Sequence, residues 1–95
     1  MKLRDKKDNE FYKRCDEILH YVWDPIGVQD IPGARDEYHG YLPQVFKLVK
    51  ADADQIKIAE YLDRTEKNDI GLLSNPSKNL KVAAILLDWR AAIYN

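Results

Sequence analysis

A chain of 95 residues with 15 Lys and Arg against 16 Asp and Glu carries a formal charge of −1, which points away from a general nucleic-acid binder or a membrane-surface protein. The length supports one domain with a thin core, residues 1–95, in which the charged first seven residues are expected to fray. No run approaches the roughly 18 apolar residues of a bilayer span, no apolar stretch follows the charged start to make a signal peptide, and Cys15 is the single cysteine; the expectation is a cytoplasmic protein without an internal disulfide.

Phe11, Cys15, Ile18, Leu19 and Val22 recur at helical spacing and predict a first helix from about Asp8 to Val22. Asp24-Pro25 should end it, with Gly27 admitting a turn and a loop running on to Pro32-Gly33. Tyr38, Tyr41, Leu42, Val45, Leu48 and Val49 mark a second helix over about Ala34 to Lys50, with a kink or break between Gly40 and Pro43 because an interior proline removes a hydrogen bond and clashes with the preceding turn. A third helix is predicted to start at an Asp52 N-cap, with Gln55 completing a capping box, and to stop before Gly71; Ile56, Ala59, Tyr61 and Leu62 should face inward. Asn75-Pro76 opens the last helix, whose main stripe reads Leu80, Ala83, Ala84, Leu87 and Ala91, widened by Val82, Ile85, Leu86, Trp89 and Ile93. No strand-like alternation or repeat is visible, so the fold class is all-α: a small, irregular four-helix bundle.

Catalytic raw material is sparse. Cys15 lies on an apolar stripe and reads as a buried small hydrophobe. Thr65, Ser74 and Ser77 sit near helix ends, where hydroxyls satisfy backbone groups. Asp16 and His20, Glu17 and His20, and Asp36 and His39 have spacings that place each pair on one helix face. Only one Glu-x-x-His is present, however, where carboxylate-bridged bundles need two, so no metal or other cofactor is expected and both histidines should be partly exposed. The four glycines are scattered, with no phosphate-binding turn. Residues 58–65 loosely resemble the start of a helix-turn-helix, but residues 42–69 carry a net charge of −1, which opposes a phosphate contact.

The overall charge conceals a pattern. Residues 1–14 carry +3, residues 70–95 carry +2, and residues 15–41 carry −5, with Asp16, Glu17, Asp24, Asp30, Asp36 and Glu37 against Arg35 alone. Tyr21, Trp23, Tyr38, His39 and Tyr41 interleave with those acids. Aromatics rimmed by charge are a common interface composition, and they are equally the stuff of a small core, so contact surface and core both stand as readings of this segment.

The patches Tyr21-Val22-Trp23-Asp24-Pro25-Ile26-Gly27, Arg35-Asp36-Glu37-Tyr38, Tyr41-Leu42-Pro43 and Val82-Ala83 with Leu86-Leu87 and Trp89 resemble a group of short bacterial helical proteins that share a W-D-P-[I/L]-G turn followed by an acidic, tyrosine-bearing helix. That group resembles a domain family of unknown function, and comparable small acidic helical proteins occur as immunity proteins beside secreted toxins. The resemblance implies a helical fold and no catalytic residue. The expectation is therefore a non-enzymatic protein-binding protein, plausibly an immunity protein that neutralises a basic toxin domain through Asp16, Glu17, Tyr21, Asp24, Asp30, Asp36, Glu37, Tyr38, His39 and Tyr41. The alternative is a small regulatory or nucleic-acid-binding protein using Arg64, Lys67 and the final helix.

Overall fold

In the computed structural model, which describes residues 5–51 and 53–94, four α-helices surround one hydrophobic cluster: α1 (Lys6–Ile18), α2 (Leu42–Lys50), α3 (Gln55–Arg64) and α4 (Pro76–Tyr94). No strand occurs among the described residues. Each of three helix starts is closed by a side chain that accepts an orphan backbone N–H. Asp5 accepts from Lys7 at 2.7 Å, Asp54 from Lys57 at 2.8 Å and Asn75 from Lys78 at 3.1 Å. The predicted cap Asp52 lies outside the described residues, and the carboxylate seen at the start of α3 is that of Asp54. Lys6 and Lys7, expected to fray, are helical, and the first four residues lie outside the described range.

Helix α4 packs against α1, α2 and α3. The start of α1 meets the end of α4: Tyr94 donates its hydroxyl to Asp8, the Phe11 and Tyr94 rings meet edge to face at 5.6 Å, and the Arg14 guanidinium stands 5.6 Å from the Trp89 ring centre. Lys50, at the end of α2, closes the same corner with a 2.7 Å ion pair to Asp8. Where α3 meets α4, the buried Asn79 donates to Asp63 at 2.5 Å, while its side-chain oxygen has no partner among the described residues.

Two helices change character at their C-terminal ends, and the change corrects the inward set read from periodicity. From Leu19 to Trp23 the chain of α1 continues as π-helix, closed by the Asp24 N–H on the Leu19 carbonyl at 3.0 Å. Bonding five residues back widens the turn and shifts the phase of every side chain after it. As a result Val22, expected on the buried stripe, is exposed, and Trp23 is wholly buried. Helix α3 does the same over Thr65–Ile70, ending on Gly71 at φ +81°. This buries Thr65 and Glu66.

Further corrections concern α2, α3 and α4. The second helix begins at Leu42, not near Ala34, with Pro43 in its first turn, where a missing N–H costs nothing. Residues 34–41 form successive four-residue turns, closed by the Glu37 N–H on Ala34, the His39 N–H on Asp36 and the Tyr41 N–H on Tyr38. The expected break before Pro43 thus removes the whole first half of that helix. In α3 the buried set is Ile58, Ala59 and Leu62; Ile56 points out and Tyr61 is half-buried. In α4 the buried stripe is Asn79, Val82, Ala83 and Leu86, whereas Leu80 and Ala91 are exposed. That helix is apolar around most of its circumference, so spacing alone could not choose the inward face.

Candidate partner-binding site

The chain between α1 and α2 is held by a side-chain knot and not by a backbone ladder. Asp24 adopts φ +31°, ψ +62°, a left-handed conformation that aspartate tolerates better than most residues. Its main-chain carbonyl accepts the Gly27 N–H at 3.2 Å across a turn with Pro25 at the second position. Its carboxylate takes three further donors: the Val28 N–H at 2.8 Å, the Gln29 N–H at 3.1 Å and the Tyr38 hydroxyl at 2.7 Å. The Tyr38 oxygen in turn accepts the Ile26 N–H at 3.2 Å. Burial is the largest single influence on the Asp24 carboxyl and pushes its pKa up, but Tyr38, the two amides and the nearby His20 together outweigh it and hold it below the usual carboxylate range. The same pairing, added to burial, raises the Tyr38 hydroxyl.

Trp23 pins this knot to the bundle. Its indole N–H donates to Glu66 at 2.8 Å, and its ring lies 5.4 Å from Tyr38 and 6.1 Å from Tyr41. Glu66 is itself buried, in the second π-helical turn. Nothing in the sequence singled out this acid, which lies 43 residues from its donor among five other acids in residues 42–69. His20 is also buried, with Nδ1 unpartnered among the described residues, against the expectation of partial exposure; the π-helical register turns it inward, as it does Leu19 and Trp23.

The residues expected to form one contact surface therefore divide. Asp24 and Tyr38 are buried in the knot, and Tyr41 is half-buried against Trp23, so these three build the surface from beneath and do not present it. Glu17 is partly exposed and lies 3.2 Å from Arg14. Asp16 is partly exposed and paired: Arg35 donates both terminal nitrogens to its two oxygens at 2.9 Å, and His39 Nε2 lies 3.0 Å from Oδ1. Arg35 also stands 5.4 Å from the centre of the Tyr21 ring. Asp30, Asp36 and Glu37 are exposed and make no ion pair or hydrogen bond through their side chains among the described residues.

Apolar surface accompanies those unpaired acids. Tyr21 (52% exposed), Val22 (42%), Ile26 (42%) and Ile31 (53%) all project from residues 21–31. The last two were not recognised from sequence, because in a loop no periodicity tells an exposed isoleucine from a buried one. Arg64 and Lys67 are exposed near the end of α3, interspersed with Asp63, Glu66 and Asp69.

Burial, with Asp16 adding to it, pushes the Cys15 thiol up to about 12, so it is not a thiolate at neutral pH. Among the described residues no group of three or more His, Cys, Asp and Glu side chains is arranged to hold a metal ion, and no helix is long and apolar enough to cross a membrane. No protein-family model, curated protein or solved structure matches the chain.

Proposed function

We propose that this chain is a non-enzymatic binding protein that docks a basic protein partner on the face carried by residues 16–37, as an immunity protein docks on a toxin domain. The observation that carries this reading is the coincidence of three exposed, unpaired carboxylates, Asp30, Asp36 and Glu37, with four exposed large side chains, Tyr21, Val22, Ile26 and Ile31. Exposed apolar side chains and acids carried by one segment suit a partner that is apolar and basic: desolvation of the apolar groups supplies affinity, and the charges supply steering and register. The hydrogen-bonded knot supports the same reading, since a surface ordered in advance loses less entropy on binding. The resemblance of the Tyr21–Gly27, Arg35–Tyr38 and Tyr41–Pro43 patches to short bacterial helical proteins agrees with it.

The test is calorimetry with the protein encoded beside this one. A complex should form at low salt and weaken as ionic strength rises from about 0.05 M to about 0.5 M. The double substitution Asp36→Lys, Glu37→Lys should lower affinity by about tenfold or more, mainly through slower association. Ile31→Ser should instead speed dissociation. If no complex forms at low salt, or charge reversal leaves the affinity unchanged, the docking face is not where this protein works.

A further inference from the structure

Asp16 is gripped through both oxygens by one guanidinium and touched by a histidine ring, and the manner of that pairing specifies a ligand. Its two oxygens receive the two terminal nitrogens of Arg35 at 2.9 Å each, the same guanidinium stands 5.4 Å from the Tyr21 ring centre, and His39 Nε2 approaches Oδ1 at 3.0 Å. We infer that Asp16, Tyr21 and His39 form a seat for one guanidinium group, filled by Arg35 in the free protein and taken over by an arginine of the basic partner when it docks. This rests on the partner-binding reading above.

The seat selects chemistry, not only charge. Two parallel N–H···O bonds to one carboxylate need a planar fork, which arginine presents and lysine does not. The tyrosine face adds an attraction for a delocalised cation lying over it. Asp16 lies in α1 and Tyr21 in the π-helical turn that continues it, so both are held by helix backbone. The occupant, by contrast, comes from the turn segment, and its side chain is 42% exposed. That exposure leaves the pair open to an incoming guanidinium, which must displace Arg35 and so binds the wild type more weakly than a seat left empty. Arg35 also immediately precedes Asp36 and Glu37. A basic segment drawn in by those unpaired acids arrives beside the seat.

Tetra-arginine and tetra-lysine peptides carry equal charge and differ in the fork, which makes them suitable probes. They are titrated by NMR against the wild type, against Arg35→Lys, which keeps the net charge but cannot hold both oxygens, and against Arg35→Lys with Asp16→Asn. Tetra-arginine should bind Arg35→Lys about fivefold more tightly than tetra-lysine does. That preference should shrink to about twofold in the wild type, where Arg35 competes, and disappear in the double variant. In the wild type itself tetra-arginine should move the Arg35 Nε–H and Tyr21 ring resonances, while tetra-lysine leaves them in place. Equal preference in all three proteins, or saturation by tetra-arginine without movement of the Arg35 Nε–H, overturns the seat. The docking face then stands or falls on its own charge-reversal test.

Discussion

Replacing Trp23 with alanine should cost about 4 kcal/mol, the middle of the range for truncating a buried aromatic, and should leave a chain of this size close to unfolding at 25 °C. The side chain is wholly buried, and it is also the link between the Asp24 knot and the second π-helical turn through Glu66. Two effects are superposed in that number, and a second pair of variants separates them. Trp23→Phe keeps most of the ring but removes the N–H, leaving the buried Glu66 carboxylate without its donor, for about 2 kcal/mol. Adding Glu66→Met to Trp23→Phe should recover part of that loss, because removing both partners spares the cost of an unpaired buried charge. Urea melts followed by far-ultraviolet circular dichroism give all four values. If the double variant is no more stable than Trp23→Phe alone, the indole–carboxylate bond is not what holds the turn.

Asp24→Ala should be the next most damaging change, at about 3 kcal/mol. It strips the acceptor from the Tyr38 hydroxyl and from two amides, and it places a side chain without local hydrogen bonding at φ +31°. Asp24→Gly relieves the backbone conformation while still lacking the carboxylate, so the difference between the two variants reads the left-handed conformation alone. The charge has its own signature. Because the folded-state pKa of Asp24 lies below its unfolded value, its contribution is complete above the unfolded value of about 3.9. It is lost as pH falls through the folded-state value. Asp8, bonded to Lys50 and Tyr94, is held low in the same way. Stability should therefore stay level from about pH 7 to about pH 5 and fall at more acid pH. Asp24→Asn should make that acid fall shallower without abolishing it, since Asp8 remains.

The helical class, the stops at Asp24-Pro25 and Gly71 and the start at Asn75-Pro76 were legible because each depends on chemistry within a few residues: a proline ring, a glycine conformation or a capping carbonyl. Even the role of Asp24 in closing its turn follows from residue type. What escaped depended on distance or on phase. The Trp23–Glu66 bond joins positions that no local pattern relates. The π-helical turns leave the spacing of apolar residues in the sequence unaltered while rotating the side chains beyond them, so Val22, read as buried, is exposed. Within the candidate site, the acidity of residues 15–41 was plain from the chain. Its division into paired Asp16, buried Asp24 and unpaired Asp30, Asp36 and Glu37 was not, since the partners come from the fold.

Residues 24–41 hold their shape through side-chain acceptors and isolated turns, with no continuous helical ladder among them. Cooperative units bounded in this way open separately from the structure they rest on. The amides of Ile26, Val28 and Gln29 should consequently exchange with deuterated solvent through an opening that breaks the Asp24–Tyr38 bond and leaves α3 and α4 intact. Their protection should be lower than that of Leu62 or Leu86 under identical conditions. A ligand that binds only the closed form would slow those three amides in proportion to its occupancy, giving this face a built-in readout of its own engagement.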